Sequence, residues 1–250
     1  MIAAMERVLV EERSGGVALV TLNRPEALNA LDDELLAALH GAFRGGFGDA
    51  RAVVLTGAGR AFSTGADLKA RASMDEERWR AHHESLRAAF AAVRDCPLPT
   101  VAAVEGFALA GGLELALCCD LVVAAHDAQL GLPEVSRGIM PGAGGTKVLP
   151  RIVGVSRAKD LIFTGRRLDA ATAAEWGLVA RVVEPGAATA AALELASQIA
   201  DNAPLALGAA KRSLDGGDEL DSYWSCIGTD DQREGIRAFV ERREPRFRGA

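Results

Sequence analysis

The sequence has no excess of basic residues, no long uncharged apolar run and no CxxC pair. Its 28 lysines and arginines are outnumbered by 34 aspartates and glutamates, which gives a net charge of −6. Proteins that bind nucleic acid or an anionic membrane surface normally present a basic face, so this balance disfavours both partners. The longest apolar region, residues 98–125, contains Glu105, Glu114 and Asp120. These charges argue against a membrane span.

Cysteine is also scarce, with four in 250 residues. Cys118 and Cys119 are neighbours, which do not readily bridge to each other, and no spacing supports a zinc site. We therefore expect all four cysteines to be small buried side chains in a reducing compartment. The first residues show no basic head followed by a long apolar stretch, so the sequence predicts a soluble, cytoplasmic protein.

Familiar catalytic signatures are missing too. GAGRAF, residues 57–62, has a phenylalanine in place of the third glycine of a dinucleotide fingerprint, and no glycine-rich loop is followed by GK[ST]. His83 begins a pattern like that of a zinc-protease helix, but Arg87 stands where the second histidine belongs. The remaining histidines have no ligand-like spacing and are expected at the surface: His40, His82 and His126. Metal, nucleotide-phosphate and serine-hydrolase chemistry all lose support.

What the sequence does have is an alternation of strand-like and helix-like segments, with 49% hydrophobic and 25% charged residues. The strand-like runs cover residues 17–22, 52–56, 100–104 and 121–125. Helices are predicted from Asn29, as the capping residue, to Phe43, over residues 74–94, and within residues 106–120. This alternation predicts an α/β fold.

The pattern becomes mainly helical after Arg157, and residues 204–250 are predicted to be wholly helical. We therefore expect an α/β core over residues 1–195 and a helical C-terminal region over residues 196–250.

Three segments place glycines and backbone N–H groups beside a carboxylate or a strand end: residues 61–69, 106–114 and 132–146. In the second, glycines precede a helix whose first N–H groups lack intrahelical partners and favour negative charge. Two such donors can polarise a carbonyl while two carboxylates move protons, which suits a thioester that becomes enolate-like. The structural alternative is that the glycines allow close helix packing and that Glu134 is a surface charge.

These segments resemble the enoyl-CoA hydratase/isomerase (crotonase) superfamily. The resemblance lies in FSTGADLK, GFALAGGLELALCCDLVVAA and LGLPEVSRGIMPGAGGTKVLPRIVG, and extends to LNRPEALNALD, FTGRRLDAATAAEWGLVARVV and TDDQREGIRAFVERREPRF. It covers nearly the whole chain. It implies a crotonase-like (ββα) spiral core with a helical C-terminal trimerisation region, assembled as a homotrimer or a dimer of trimers.

The resemblance also implies roles for individual residues. The N–H groups of Ala66 and Gly111 would form an oxyanion hole for the thioester carbonyl. Glu114 and Glu134, twenty positions apart, match the two catalytic glutamates of the hydratases. Gly142 would help to position the water through its backbone. The residues implied in substrate binding are Ala27, Leu28, Asp67, Leu68, Lys69 and Gly142.

No cofactor or metal is implied, because CoA is part of the substrate. One departure is Ala110, where many members have a third glycine; a small residue should be tolerated there. The helix over residues 74–94 matches a variable segment near the acyl pocket. Met74, Trp79 and His82 are candidates to line that pocket, with core or surface packing as the alternative.

The expected activity is hydration of a 2-enoyl-CoA thioester to a 3-hydroxyacyl-CoA. Double-bond isomerisation remains open, since one glutamate at the position of Glu134 often suffices for it. A hydratase for a polar acyl group, of the carnitinyl-CoA type, also remains open. The alternatives outside catalysis are an RNA-binding homologue, which an acidic chain disfavours, and a silent assembly subunit, which the two glutamates disfavour.

Overall fold

Two β-sheets organise the chain in a computed structural model that describes residues 6–250. The strands are β1 (Val8–Arg13), β2 (Val17–Leu22), β3 (Ala52–Gly57), β4 (Thr100–Val104), β5 (Phe107–Leu109), β6 (Leu121–Ala125), β7 (Gln129–Gly131), β8 (Arg167–Asp169) and β9 (Arg181–Val183). The larger sheet has the order β1-β2-β3-β4-β6-β9. Only β1 runs antiparallel to its neighbour; the other pairs in this sheet are parallel.

Helices surround both sheets. They are α1 (Asp33–Gly45), α2 (Leu68–Arg71), α3 (Glu76–Arg94), α4 (Gly111–Ala116), α5 (Gly145–Val153), α6 (Val155–Thr164), α7 (Ala170–Glu175), α8 (Ala188–Ala200), α9 (Pro204–Leu214), α10 (Glu219–Trp224) and α11 (Asp230–Glu241). Short 3-10 helices cover Pro25–Ala27 and Pro133–Arg137. Within residues 6–250, no helix is both long and apolar enough to cross a membrane.

The central strands β2, β3, β4 and β6 of the larger sheet are buried on both faces, which explains their continuous apolar sequences. Alternate residues such as Leu19 and Val54 face α8, where Ala192 and Ala196 allow close packing. The intervening residues contribute to a larger core on the other face, together with residues of α1, α3 and α4. Leu86 of this second core also lines the cavity described below.

The smaller sheet has three strands, in the order β5-β7-β8. β5 and β7 are parallel, and Leu109 is paired with Gly131. β5 is followed directly by α4, and β7 is followed by the 3-10 helix Pro133–Arg137. The segments that carry Glu114 and Glu134 therefore leave the same end of two adjacent strands.

The α/β alternation predicted from the sequence is confirmed, as are the four strand-like runs. The predicted cap of the first helix is wrong. Asp32 caps α1 by accepting a hydrogen bond from the N–H of Leu35. Asn29 instead lies in the left-handed region, with φ of 53°. Its buried amide joins two loops by donating to the carbonyl oxygens of Ala58 and Ala61.

Three further expectations need correction. The last helix ends at Glu241, so residues 204–250 are not wholly helical. Cys226 is half-buried, whereas the other three cysteines are buried as expected. His82 is not a surface residue: it is 2% exposed, and its Nδ1 lies 2.8 Å from Oδ1 of Asp33. The predicted division at residue 195 falls within α8 and stays a prediction.

Candidate active site

The loop that follows β3 directs one backbone N–H group into a cavity. Leu31 forms a parallel bridge with Ala66, in which its N–H donates to Gly65 O and its carbonyl accepts from Asp67 N–H. Ala66, between these two partners, therefore points its own N–H to the opposite side. Within residues 6–250 this N–H meets no acceptor, and Ala66 lines the cavity.

The first residue of α4 supplies a second N–H group that meets no acceptor among residues 6–250. Gly111 begins the helix, so its N–H has no intrahelical partner, and it too lines the cavity. The two loops meet here: a Cβ added to Gly65 would lie 2.7 Å from the nitrogen of Gly111. Only glycine at position 65 leaves this N–H accessible.

Ala110, the residue before α4, has φ of 52° and ψ of −129°. This conformation is normal for glycine and strained for alanine. The chain thus tolerates a small side chain at this position at a cost in backbone strain. The strained geometry brings the carbonyl of Ala110 to the N–H groups of Leu113 and Glu114, which starts the helix.

Glu114 is buried in α4 and is held by the glycine-rich turn that precedes α5. Its Oε1 accepts hydrogen bonds from the N–H groups of Ala143, at 2.8 Å, and Gly145, at 2.9 Å. Burial raises the pKa of Glu114, and these amides, with the Gly142 N–H and the charge of Arg71, oppose the rise. Glu134 is nearer to this turn along the chain, but the turn binds Glu114 instead.

Glu134 lies in the 3-10 helix after β7 and is 6% exposed. Its Oε2 is buried and has no hydrogen-bond partner within residues 6–250. Burial raises its pKa to about 7, and the negative charge of Glu114 adds to the rise, against the opposing charges of Arg137 and Arg71. Glu134 is therefore poised to exchange a proton near neutral pH.

These groups share one cavity of about 1230 Å³. All ten site residues expected from the sequence line it: Ala27, Leu28, Ala66, Asp67, Leu68, Lys69, Gly111, Glu114, Glu134 and Gly142. No cluster of three or more metal-ligating side chains occurs in the part of the chain that the structure describes.

The carboxylate of Asp67 is occupied by protein partners. It caps α2 by accepting from the N–H groups of Lys69 and Ala70, and it pairs with Arg24 at 2.7 Å. Burial alone would raise the pKa of Asp67, but the Arg24 guanidinium and the two amides hold it below its ordinary value. Its side chain therefore shapes the cavity wall.

The candidates from the helix over residues 74–94 divide between two cavities. Trp79 lines the large cavity, as proposed. Met74 and His82 do not; they line a separate cavity of about 380 Å³, beside Asp33. His82 faces that side because its ring contacts Asp33 at the start of α1.

Arg71 and His83 are among the cavity residues that the sequence did not predict. Arg71, at the end of α2, is only 8% exposed, and His83 of α3 lies beside Gly142, where an added Cβ would come within 2.7 Å of its ring. Burial and the charge of Arg71 lower the pKa of His83. A single arginine or histidine in helical sequence is usually exposed, so no local signal marks either residue.

The layered fold and the cavity define the crotonase class of α/β proteins, in agreement with the solved structures that the chain resembles. A family model described as enoyl-CoA hydratase/isomerase matches residues 12–250. The chain therefore belongs to the enoyl-CoA hydratase/isomerase family, and the fold expected from the sequence is confirmed.

Individual relatives extend over nearly the whole chain. A short-chain-enoyl-CoA hydratase of Clostridium acetobutylicum is 38% identical over 249 residues, which cover 94% of this chain and 95% of that protein. The structure of an enoyl-CoA hydratase from Bacillus anthracis is 41% identical, with a TM-score of 0.94, and covers 98% of this chain and 100% of that one. An enoyl-CoA hydratase/carnithine racemase from Magnetospirillum magneticum is 33% identical, with a TM-score of 0.91 and coverage of 99% and 97%.

Proposed function

We propose that the protein is an enoyl-CoA hydratase, which adds water syn across the double bond of a 2-enoyl-CoA thioester and yields a 3-hydroxyacyl-CoA. The observation that carries this proposal is that two buried carboxylates share one cavity with two free backbone N–H groups. Relatives named as enoyl-CoA hydratases support it. The reaction needs no cofactor, because CoA belongs to the substrate.

The roles follow from the environment of each group. The N–H groups of Ala66 and Gly111 donate to the thioester oxygen and stabilise the negative charge that develops on it; one such donor typically contributes about 100- to 1,000-fold in rate. Glu114, whose Oε1 is held by two amides, accepts a proton from water as the oxygen bonds to the β-carbon. Glu134, with a pKa of about 7, supplies the proton to the α-carbon.

The test compares Glu114→Gln and Glu134→Gln with wild type on crotonyl-CoA, followed by the loss of enoyl absorbance. Each variant should lose at least about 100-fold in kcat while keeping its circular dichroism spectrum, since positioned acid–base groups contribute about that much. Glu105→Gln is the matched control, because Glu105 also accepts from two backbone N–H groups, those of Gly186 and Ala188, away from the cavity. Near-wild-type kcat in either cavity variant contradicts the mechanism.

Isomerisation of a 3-enoyl-CoA is the second candidate. It is favoured by Glu134, whose unpartnered Oε2 and pKa of about 7 suit a carboxylate that takes a proton from one carbon and returns it to another. If the protein is primarily an isomerase, Glu114→Gln will retain conversion of a 3-enoyl-CoA while Glu134→Gln loses it. A hydratase loses activity in both variants.

We also propose that the chain assembles as a homotrimer or a dimer of trimers. Large apolar side chains are exposed on α9, α10 and α11, among them Leu214, Trp224 and Phe239. Such a concentration is typical of a surface that is covered by another subunit. Light scattering should give three or six times the chain mass of 26.1 kDa, and a monomer would contradict the proposal.

A further inference from the structure

Arg71 is a buried cation with at least one N–H group that meets no acceptor among the described residues. It is 8% exposed, it lines the large cavity, and its Nε finds no acceptor within residues 6–250. Arg24, in the same cavity wall, is different, because it pairs with Asp67 at 2.7 Å. A buried charge without a partner is costly, so a protein that keeps one there has a use for it.

The surroundings of Arg71 hold the guanidinium in place without occupying its hydrogen-bond donors. Its central carbon lies 4.6 Å from the ring centroid of Trp79, which gives a cation–π contact on one face. A ring on the face leaves the five N–H donors on the edge free. Burial lowers the pKa of Arg71, and the charges of Glu114 and Glu134 oppose this. An arginine nevertheless stays charged in proteins, so it attracts an anion.

Its neighbours place Arg71 along the cavity. The guanidinium stacks on Trp79 of α3, and His83, one turn further along that helix, lies beside Gly142, which adjoins the turn that binds Glu114. Arg71 therefore lies at the end of the cavity where the acyl group is transformed. Lys69, in contrast, is an exposed cavity residue available to the CoA moiety.

We propose that Arg71 binds a carboxylate on the acyl group, so that the preferred substrates are 2-enoyl-CoA thioesters whose acyl chain ends in a carboxylate. The inference rests on the proposed function for the position of the reacting double bond. A carboxylate matches the fork of the guanidinium and accepts two parallel hydrogen bonds. Because Glu114 and Glu134 repel an anion, its binding depends on the guanidinium of Arg71. A plain alkyl chain leaves the donors unpaired, and a cationic acyl group is repelled.

The test measures binding of two saturated thioesters that cannot be hydrated, glutaryl-CoA and pentanoyl-CoA. Both have five acyl carbons, and only glutaryl-CoA carries a terminal carboxylate. We expect the wild-type protein to bind glutaryl-CoA about tenfold more tightly or better in isothermal titration calorimetry, the equivalent of one charge-assisted hydrogen bond. Arg71→Met should abolish this preference, and Arg71→Lys should retain part of it as a point charge.

Arg80→Met is the matched control. Arg80 also lines the cavity, but its exposed side chain pairs with Glu76, so its loss removes one positive charge and leaves Arg71 intact. The glutaryl preference should survive in this variant. If it disappears there as well, the preference comes from the general positive charge of the cavity, and the proposal is overturned.

Two other results would overturn it: equal affinity of the wild-type protein for both thioesters, or an equal loss for both in Arg71→Met. The second result would mean that Arg71 holds a phosphate of CoA. The titrations do not depend on turnover. A protein that prefers glutaryl-CoA through Arg71 but does not hydrate any enoyl thioester would contradict the proposed function alone.

Discussion

Replacing Glu134 by glutamine should make the stability of the protein less sensitive to pH. Glutamine keeps the shape of the side chain and removes its ionisation. Burial and the neighbouring charge of Glu114 raise the pKa of Glu134 from its ordinary value of 4.5 to about 7. The folded state therefore holds this proton more tightly than the unfolded chain does.

The sign and size of the effect follow from this difference. Below pH 4.5 the carboxyl is protonated in both states, and ionisation costs nothing. Between pH 4.5 and about 7 the unfolded state ionises first, so the free energy of unfolding of the wild type falls as pH rises. One pKa unit corresponds to about 1.4 kcal/mol, which gives an upper limit of about 3 kcal/mol. Because solvent enters the cavity, we expect about 2 kcal/mol.

Urea unfolding at fixed protein concentration measures the effect, at pH 4.5 and again at pH 8. The quantity of interest is the stability of Glu134→Gln minus that of wild type, because pH-independent effects of the amide cancel between the two conditions. This difference should become more favourable to the variant by about 2 kcal/mol at pH 8. An unchanged difference, or a change of opposite sign, would refute the assignment of a raised pKa to Glu134.

Three other substitutions test the geometry of the site. Gly65→Ala should lower kcat about 100-fold, because the added Cβ blocks the N–H group of Gly111. The control Gly46→Ala is also at positive φ, but its Cβ would meet nothing within 4 Å, so it should retain activity. Equal losses in the two variants would mean that backbone strain is the cause. Ala110→Gly should raise the free energy of unfolding by about 1 kcal/mol, since relief of strain exceeds the entropy cost of glycine; a lower melting temperature contradicts this. Asp67→Asn should reduce stability by about 1 kcal/mol through the lost ion pair with Arg24, measured by urea unfolding; no change means that the pair is not stabilising.

The central strands of the larger sheet could be predicted because their signal is local. A short, continuous apolar run bounded by turn residues is typical of a strand buried on both faces, whatever lies elsewhere in the chain. The cap of α1 was missed for the opposite reason. Asn29 is a good capping residue by type. Its amide instead joins its own loop to a second loop about thirty positions further along the chain.

In the site, too, local motifs could be recognised and contacts between distant positions could not. The two glutamates and the two N–H groups could be proposed from motifs, since each motif is contiguous in sequence. The partners of Glu114 could not, because Ala143 and Gly145 lie 29 and 31 positions away and no pattern encodes that contact. Arg71 could not be found either: its burial is produced by packing with Trp79, a residue of another helix.

The parallel pairing of β5 with β7 bears on how a site of this kind changes in evolution. Each carboxylate follows its own strand, and the strands are joined through backbone groups, with Ala110 N–H also donating to the carbonyl of Gly131. Neither Glu114 nor Glu134 contributes its carboxylate to the hydrogen bonds that join these strands. One acidic residue can therefore be replaced while the other, and the two N–H groups proposed to bind the thioester, keep their positions. A change of reaction can then begin with the substitution of a single carboxylate.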